Sequence, residues 1–336
     1  MRALTCRNSD CTVAATGKCL ESHAPVESCP HFGSDKEDAN GTGDGLTPPL
    51  TPSTSAHSAE PARRFHSGLE LGLSDALAVT RARYAHLVGI LGASNAGKTC
   101  FLNSLYLLSC HGQLLPEFRF AGSLTLQGFE LRARRLRNWN EGTLPDQLAD
   151  HTLLKDPRSP AFVHLALDRI SRGRVELLLT DLPGEWSTGL ISRASTAARF
   201  DFLARADAVC IAVDGPRLVA RDTRHTESTN ACQLIERLAG NVNLDRGIPL
   251  IILLTKGDEI DMKLPADVAK IEERATALGF TSSVIATAAV SRRPAKVSNG
   301  QGVIDVVRAI VDLPTTGPVV QPRVAESSRS FLRVGT

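Results

Sequence analysis

Eight consecutive residues, Gly92-Ala93-Ser94-Asn95-Ala96-Gly97-Lys98-Thr99, match the phosphate-binding pattern G-x-x-x-x-G-K-[ST] at every fixed position. Such a loop turns successive backbone N–H groups, here those of Asn95, Ala96, Gly97, Lys98, Thr99 and Cys100, toward a phosphate chain. The positive end of the following helix adds to the attraction. Lys98 is placed to reach the β- and γ-phosphates of a nucleoside triphosphate, and the Thr99 hydroxyl to bind Mg²⁺. The chemistry requires a strand before the loop and a helix after it. His86 to Leu91 reads as a short buried strand, and Cys100 to Leu108 has the apolar content of a packed helix.

Two further motifs narrow the nucleotide. An apolar run ending at Thr180 leads into Asp181-Leu182-Pro183-Gly184, a D-x-x-G at the carboxyl end of a strand. That is where α/β sheets bind ligands. Asp181 is a candidate Mg²⁺ ligand, and the Gly184 N–H a candidate sensor of the γ-phosphate. The third motif is Thr255-Lys256-Gly257-Asp258, directly after the run Leu250 to Leu254. A carboxylate at Asp258 can accept from both the N1–H and the exocyclic amine of guanine, a donor pair that adenine lacks. The Lys256 stem can lie over the purine ring. Ala286-Thr287-Ala288 follows the next strand, where Thr287 and Ala288 are candidates for presenting a backbone N–H to the guanine oxygen.

The elements that must position these residues alternate along the chain. Strands are expected at Ala161 to Leu167, Val175 to Thr180, Ala208 to Val213, Leu250 to Leu254 and Ser283 to Thr287. The first two flank the turn Ser171-Arg172-Gly173 and should pair as an antiparallel hairpin. The last three are nearly continuous apolar runs, as in strands buried on both faces of a parallel sheet. Helices are expected around Thr196 to Arg205, Thr229 to Ala239, Ala266 to Leu278 and Gly302 to Val311. The alternation predicts an α/β fold, a three-layer, mostly parallel sheet with helices on both faces.

Four segments divide the 336 residues. Residues 1–32 are rich in cysteine. Residues 33–66 are dominated by Gly, Ser, Thr, Pro, Asp and Glu and read as a flexible linker. Residues 67–314 carry the periodic structure, and residues 315–336 form a polar tail. A net charge of +2 gives no global pull toward nucleic acid or anionic membrane. No apolar run is long enough for a transmembrane helix, and the N-terminus lacks the pattern of a secretory signal. A cytoplasmic location is therefore expected, with the eight cysteines reduced.

Taken together, these motifs resemble the Ras-like GTPases of the TRAFAC clade, over roughly residues 87–311. The usual guanine motif of those proteins is N-K-x-D, and here Thr255 replaces the Asn. The resemblance implies a P-loop sheet with the nucleotide at the carboxyl ends of its strands. It also implies a Mg²⁺·GTP/GDP cycle in which two switch segments move. The stretch from Phe120 to Glu130, with the N-terminal cysteines, is further similar to bacterial GTPases found in conflict or defence operons.

The first switch needs a Thr that meets Mg²⁺ and the γ-phosphate. Thr125 is the first choice and Ser123 the second. Ras-like enzymes place a water-orienting Gln after the D-x-x-G glycine, where this chain has Glu185. Glu185 is either a water-positioning catalytic residue or an exposed switch residue. Arg132, Arg134, Arg135 and Arg137 offer either an arginine that reaches the phosphates or a solvated, partner-binding face.

Cys6, Cys11, Cys19 and Cys29 are separated by four, seven and nine residues, and His31 follows closely. Four soft ligands in a short segment suit tetrahedral Zn²⁺, with His31 as an alternative to Cys29. Bound metal would supply folding energy to a piece too small for its own core. The module and the switches are expected to serve protein partners. The expected function is a Mg²⁺-dependent GTPase switch, with a non-hydrolysing GTP-dependent scaffold as the alternative. A small-molecule kinase would use the same phosphate loop without needing Lys256 and Asp258.

Overall fold

A computed structural model describes residues 13–16, 25–29, 31–32, 68–112, 117–137, 159–170 and 173–313. The linker, the tail, the turn residues Ser171 and Arg172, and Cys6, Cys11 and Cys19 lie outside the described residues. Contacts divide the chain into two units, Met1–Ala62 and Arg63–Thr336. The first contains a short helix α1 (Val13–Thr16) and a 3-10 turn (Val26–Ser28) that leads into a buried Cys29.

The second unit is built on one sheet of seven strands. These are β1 (Ala85–Leu91), β2 (Phe118–Gly122), β3 (Phe162–Arg169), β4 (Gly173–Thr180), β5 (Ala208–Asp214), β6 (Pro249–Thr255) and β7 (Thr281–Ala286). Their order across the sheet is β2-β3-β4-β1-β5-β6-β7. Strands β4, β1, β5, β6 and β7 run parallel, while β2 and β3 add an antiparallel margin. The expected hairpin is present, with Phe162 opposite Thr180 and Arg169 opposite Gly173.

Every residue of β1 and β5 is buried, because helices cover both faces. On one face, Leu87 and Leu91 of β1 pack with Trp186 and Leu190 of α5 (Gly184–Ser192), Leu234 and Leu238 of α7 (Arg224–Asn241), and Ile271 of α8 (Asp267–Ala277). On the other, Val88 and Ile90 pack with Phe101 and Leu105 of α3 (Lys98–Cys110), Phe129 and Ala133 of α4 (Leu126–Arg137), and Val307 of α9 (Val303–Val311). Helix α2 (Leu73–Ala82) precedes β1, and the short α6 (Gly215–Val219) follows β5.

Three expectations change. The segment expected as a helix from Thr196 is a run of 3-10 turns, Ala194–Arg205, that still buries Phe200 and Leu203. Strand β7 is not buried on both faces. It is the last strand of the sheet, and its residues are exposed or half-buried, with Val284, Ile285 and Ala286 all half-buried. Strand β2 and helices α2, α4 and α5 were not anticipated. In α4 the buried positions Phe129, Ala133 and Leu136 follow helical spacing, a signal present in the sequence.

The antiparallel margin is held by a buried polar cluster. His164 of β3 and Glu176 of β4 meet at 2.8 Å, and Arg83 and Arg174 reach the same carboxylate at 2.8 and 2.7 Å. The Leu124 N–H donates to His164 Nδ1, so the Nε2–H faces Glu176. Burial alone would raise the Glu176 carboxyl, but the hydrogen bonds from His164 and Arg174 and the charge of Arg174 outweigh it. They hold the group at about 2, below its ordinary 4.5. A carboxylate depressed by folding adds stability above its unfolded value and loses that stability as pH falls toward its folded value. Thermal melts of the wild type should therefore decline more steeply between about pH 4.5 and 2 than those of Glu176→Gln. Parallel curves would show that the cluster does not contribute this stability.

Candidate functional site

The three motifs converge at the carboxyl ends of β1, β4 and β6. Loop residues 92–97 join β1 to α3. Gly97 precedes the helix with φ 82°, a left-handed conformation open to glycine, and leads directly into Lys98. Lys98 is buried, and its Nζ donates to Gly92 O at 2.9 Å and Ala93 O at 2.8 Å. Burial lowers the Lys98 ammonium to about 8, and the charges of Asp181 and Glu185 oppose that fall. The ammonium is thus folded back over the concavity that its own loop encloses.

Asp181 follows β4 and is 1% exposed. Thr99 Oγ1 donates to its Oδ1 at 3.3 Å, and Arg132 Nε to its Oδ2 at 2.7 Å. A hydroxyl and a carboxylate this close are a pair of hard oxygen donors that fit Mg²⁺. Gly184 lies so near the loop that a Cβ there would come within 2.2 Å of Ser94 N. Only glycine lets the D-x-x-G backbone touch the phosphate loop. Glu185 begins α5 at the mouth of the site, where Oε1 accepts from Ser94 Oγ at 2.9 Å. Trp186, next in the chain, is buried against Phe200.

The guanine motif is tied to the same loop. Thr255 Oγ1 lies 2.9 Å from Ala96 O and 3.1 Å from Val213 O, so one hydroxyl bridges β6, the phosphate loop and β5. Lys256 is left-handed at φ 54° and pairs with the carboxylate of Asp214 at the end of β5. Asp258 is 2% exposed, and its Oδ2 accepts from Arg292 N at 2.9 Å. Asp258, Lys256, Thr255, Thr287, Gly97 and Cys100 line one pocket. Burial pushes the Cys100 thiol up to about 11, so it serves as an apolar wall. Thr287 closes the turn, its carbonyl accepting from Gly257 N at 2.8 Å.

Some candidates sit elsewhere. Thr125 is fully buried at the start of α4. Its Oγ1 accepts from His164 N at 2.9 Å and lies 3.3 Å from both His164 O and Ser123 Oγ. Its hydroxyl is therefore engaged with β3 and the start of α4, and not with the phosphate loop. Ser123 Oγ likewise donates to His164 O at 2.6 Å. The N–H of Ala288 donates to Gln301 O at 2.9 Å, and the neighbouring Ala289 lines the same pocket as Asp258. Cys29 is buried, His31 is exposed, and no cluster of three or more His, Cys, Asp or Glu able to hold a metal occurs among the described residues. Sequence reasoning did not single out Arg132, Asp214 or Ser94. The partners of each come from distant parts of the chain, and only the run of arginines hinted at the first.

A phosphate loop, a D-x-x-G pressed against it and a buried acidic guanine motif on one mostly parallel sheet define a Ras-like P-loop GTPase domain. The chain belongs to the Double-GTPase 2 family, which it matches over residues 86–311. No curated protein sequence matches it. Among solved structures, it is similar to the signal recognition particle receptor SRb-GTP/SRX complex from Chaetomium thermophilum. There the identity is 18% and the TM-score 0.37, with 67% of this chain and 96% of that chain covered. It is also similar to the bacterial selenocysteine-specific elongation factor EF-Sec, at 15% identity and a TM-score of 0.33. That match covers 68% of this chain and 28% of the other. No helix among the described residues is long and apolar enough to cross a membrane.

The contact between Gly184 and Ser94 yields a direct prediction. Gly184→Ala must displace the loop or the D-x-x-G segment, an overpacking cost of about 1–3 kcal/mol. Guanine-nucleotide affinity, measured by titration, should fall on the order of tenfold, the equivalent of about 1.4 kcal/mol. Unchanged affinity would mean that the two segments are not jointly required.

Proposed function

We propose that this chain is a Mg²⁺-dependent GTPase switch that binds GTP, hydrolyses it slowly and changes its affinity for protein partners as it does so. The observation that carries this reading is the Thr255 hydroxyl held to Ala96 O. It fixes the pocket containing Asp258 to the loop containing Lys98, so that one molecule with a guanine at one end and phosphates at the other spans both. Thr99 and Asp181 would hold Mg²⁺, which neutralises phosphate charge when bound. Lys98, released from Gly92 O and Ala93 O, would serve the phosphates, and the Gly184 N–H would report the γ-phosphate.

Titration with GTP, GDP and ATP should show both guanine nucleotides preferred. Asp258→Asn should weaken guanine binding and shift preference toward xanthine nucleotides, because the amide donates where the carboxylate accepted. Equal affinity for ATP would sink the guanine reading.

Glu185 motivates a second reading, a GTP-dependent scaffold that does not hydrolyse. Its carboxylate is held by Ser94 Oγ at the loop's mouth. A negative charge there costs energy beside a γ-phosphate unless it is offset. Single-turnover phosphate release with excess enzyme separates the two. Release that Glu185→Ala abolishes gives Glu185 the water-positioning role and excludes the scaffold. No release from the wild type supports the scaffold.

The N-terminal cysteines remain a proposed Zn²⁺ site for partner binding, with Cys6, Cys11 and Cys19 outside the described residues. Metal analysis of protein purified without added metal tests it. A setting in a bacterial conflict system is the narrowest proposal and rests on the likeness of the stretch from Phe120 to Glu130.

A further inference from the structure

Asp181 has one partner that the nucleotide chemistry does not account for. Arg132 Nε donates to Asp181 Oδ2 at 2.7 Å, with side-chain exposures of 18% and 1%. The arginine stands on α4, and its backbone is pinned to α3 by Asn103 Nδ2, which donates to Arg132 O at 3.0 Å. Helix α3 is the helix that carries Lys98 and Thr99. The same guanidinium reaches back to the segment before α2, with Nη1 3.4 Å from Leu69 O and Nη2 3.3 Å from Glu70 Oε2. That segment is joined to α4 by Gly128 N donating to Gly68 O at 2.7 Å.

We propose that Arg132 is a resident counter-ion. Its guanidinium holds Oδ2 of the Asp181 carboxylate whose Oδ1 faces Thr99, and it competes there with a nucleotide-bound Mg²⁺ for the same negative charge, so that it withdraws as the metal binds. The inference rests on the reading of Thr99 and Asp181 as the metal's ligands. Its physical basis is the cost of leaving a buried carboxylate without a cation. Two cations on the two oxygens of one carboxylate repel each other and divide its charge, so each is held more weakly when the other is present. Arg132 therefore satisfies Asp181 in one state and yields it in the other. Glu70 and Leu69 O already bond the opposite edge of the guanidinium, so Arg132 keeps partners after it withdraws. Metal loading is thereby coupled to α4 and to the segment 68–70, both remote from the nucleotide itself.

The test measures release of a fluorescent GDP analogue against Mg²⁺ concentration, with an EDTA arm that reports nucleotide affinity without metal. In Arg132→Gln, the Mg²⁺ concentration for half-maximal retention should fall roughly five- to tenfold, the scale of one charge-assisted hydrogen bond. The affinity in EDTA should stay within about twofold, since no role on the phosphates is assigned to Arg132. Arg132→Lys, which keeps a cation but loses the fork, should fall between the two. Glu70→Gln checks the device from the other side and guards against misfolding of the arginine variants. It removes the partner of the withdrawn state, so the Mg²⁺ midpoint should rise. An unchanged or raised midpoint in Arg132→Gln, or an unchanged or lowered one in Glu70→Gln, overturns the proposal. So does a large loss of affinity in EDTA, which would make Arg132 a phosphate ligand. Wild-type protein that retains GDP in neither arm refutes the underlying guanine-binding reading, a distinct failure that removes the counter-ion role with it.

Discussion

A carboxylate at the end of β4, 1% exposed, constrains much of this molecule. Taking such a group out of water costs several kcal/mol unless charge and hydrogen bonds replace the solvent. Asp181 meets that requirement from two directions. Thr99 comes from the phosphate loop, and Arg132 from α4. The second contact explains features that otherwise look unrelated. Asn103 spends its amide on an α4 carbonyl, and a segment far upstream, 68–70, bonds to α4 through Gly68 and to the arginine through Leu69 and Glu70. Together they give Arg132 bonds beside the carboxylate that do not depend on it.

The guanine half of the site depends on a different economy, in which one hydroxyl does the work of a longer amide. Thr255 is shorter than the Asn of the usual motif, yet its Oγ1 reaches Ala96 O at 2.9 Å. Gly97 makes that reach feasible, since a Cβ there would stand 3.1 Å from Thr255 Cβ. The loop and β6 are therefore in direct van der Waals contact, and a larger side chain at either place would push them apart. The Thr is matched to a close approach, and it ties the pocket that holds Asp258 to the phosphate loop.

The sequence carried the sheet and the nucleotide motifs with little distortion. Strands β1, β5 and β6 are continuous apolar runs because both of their faces are covered, and such runs are legible without tertiary knowledge. The convergence of the phosphate loop, Asp181 and Asp258 at the carboxyl ends of β1, β4 and β6 was legible because each motif directly follows an apolar run. What was not legible depended on pairing across the chain. The Thr125 hydroxyl accepts from the backbone N–H of His164, thirty-nine residues away, and the Ala288 N–H donates to Gln301 O, pairings that no local pattern announces. Arg132 was one of four similar arginines, and nothing local distinguishes the one that meets a carboxylate forty-nine residues on.

These placements bear on which parts of the domain can respond to a phosphate. Helix α5 follows the D-x-x-G immediately, and Trp186 and Leu190 bury it in the core while Gly184 already touches Ser94. Moving α5 would open that core. Helix α4 is different. Its inner side packs Phe129 and Ala133, but Leu126 and Leu131 face solvent at 43% and 52% exposure. It is joined to α3 by core packing, with Phe129 stacked on Tyr106, and also by polar contacts at Arg132 and Asn103. Polar contacts exchange partners at lower cost than a close-packed core rearranges. Asp181 is linked to α4 by the Arg132 hydrogen bond, which can exchange partners, and to α5 by the close contact of Gly184 with Ser94, which cannot.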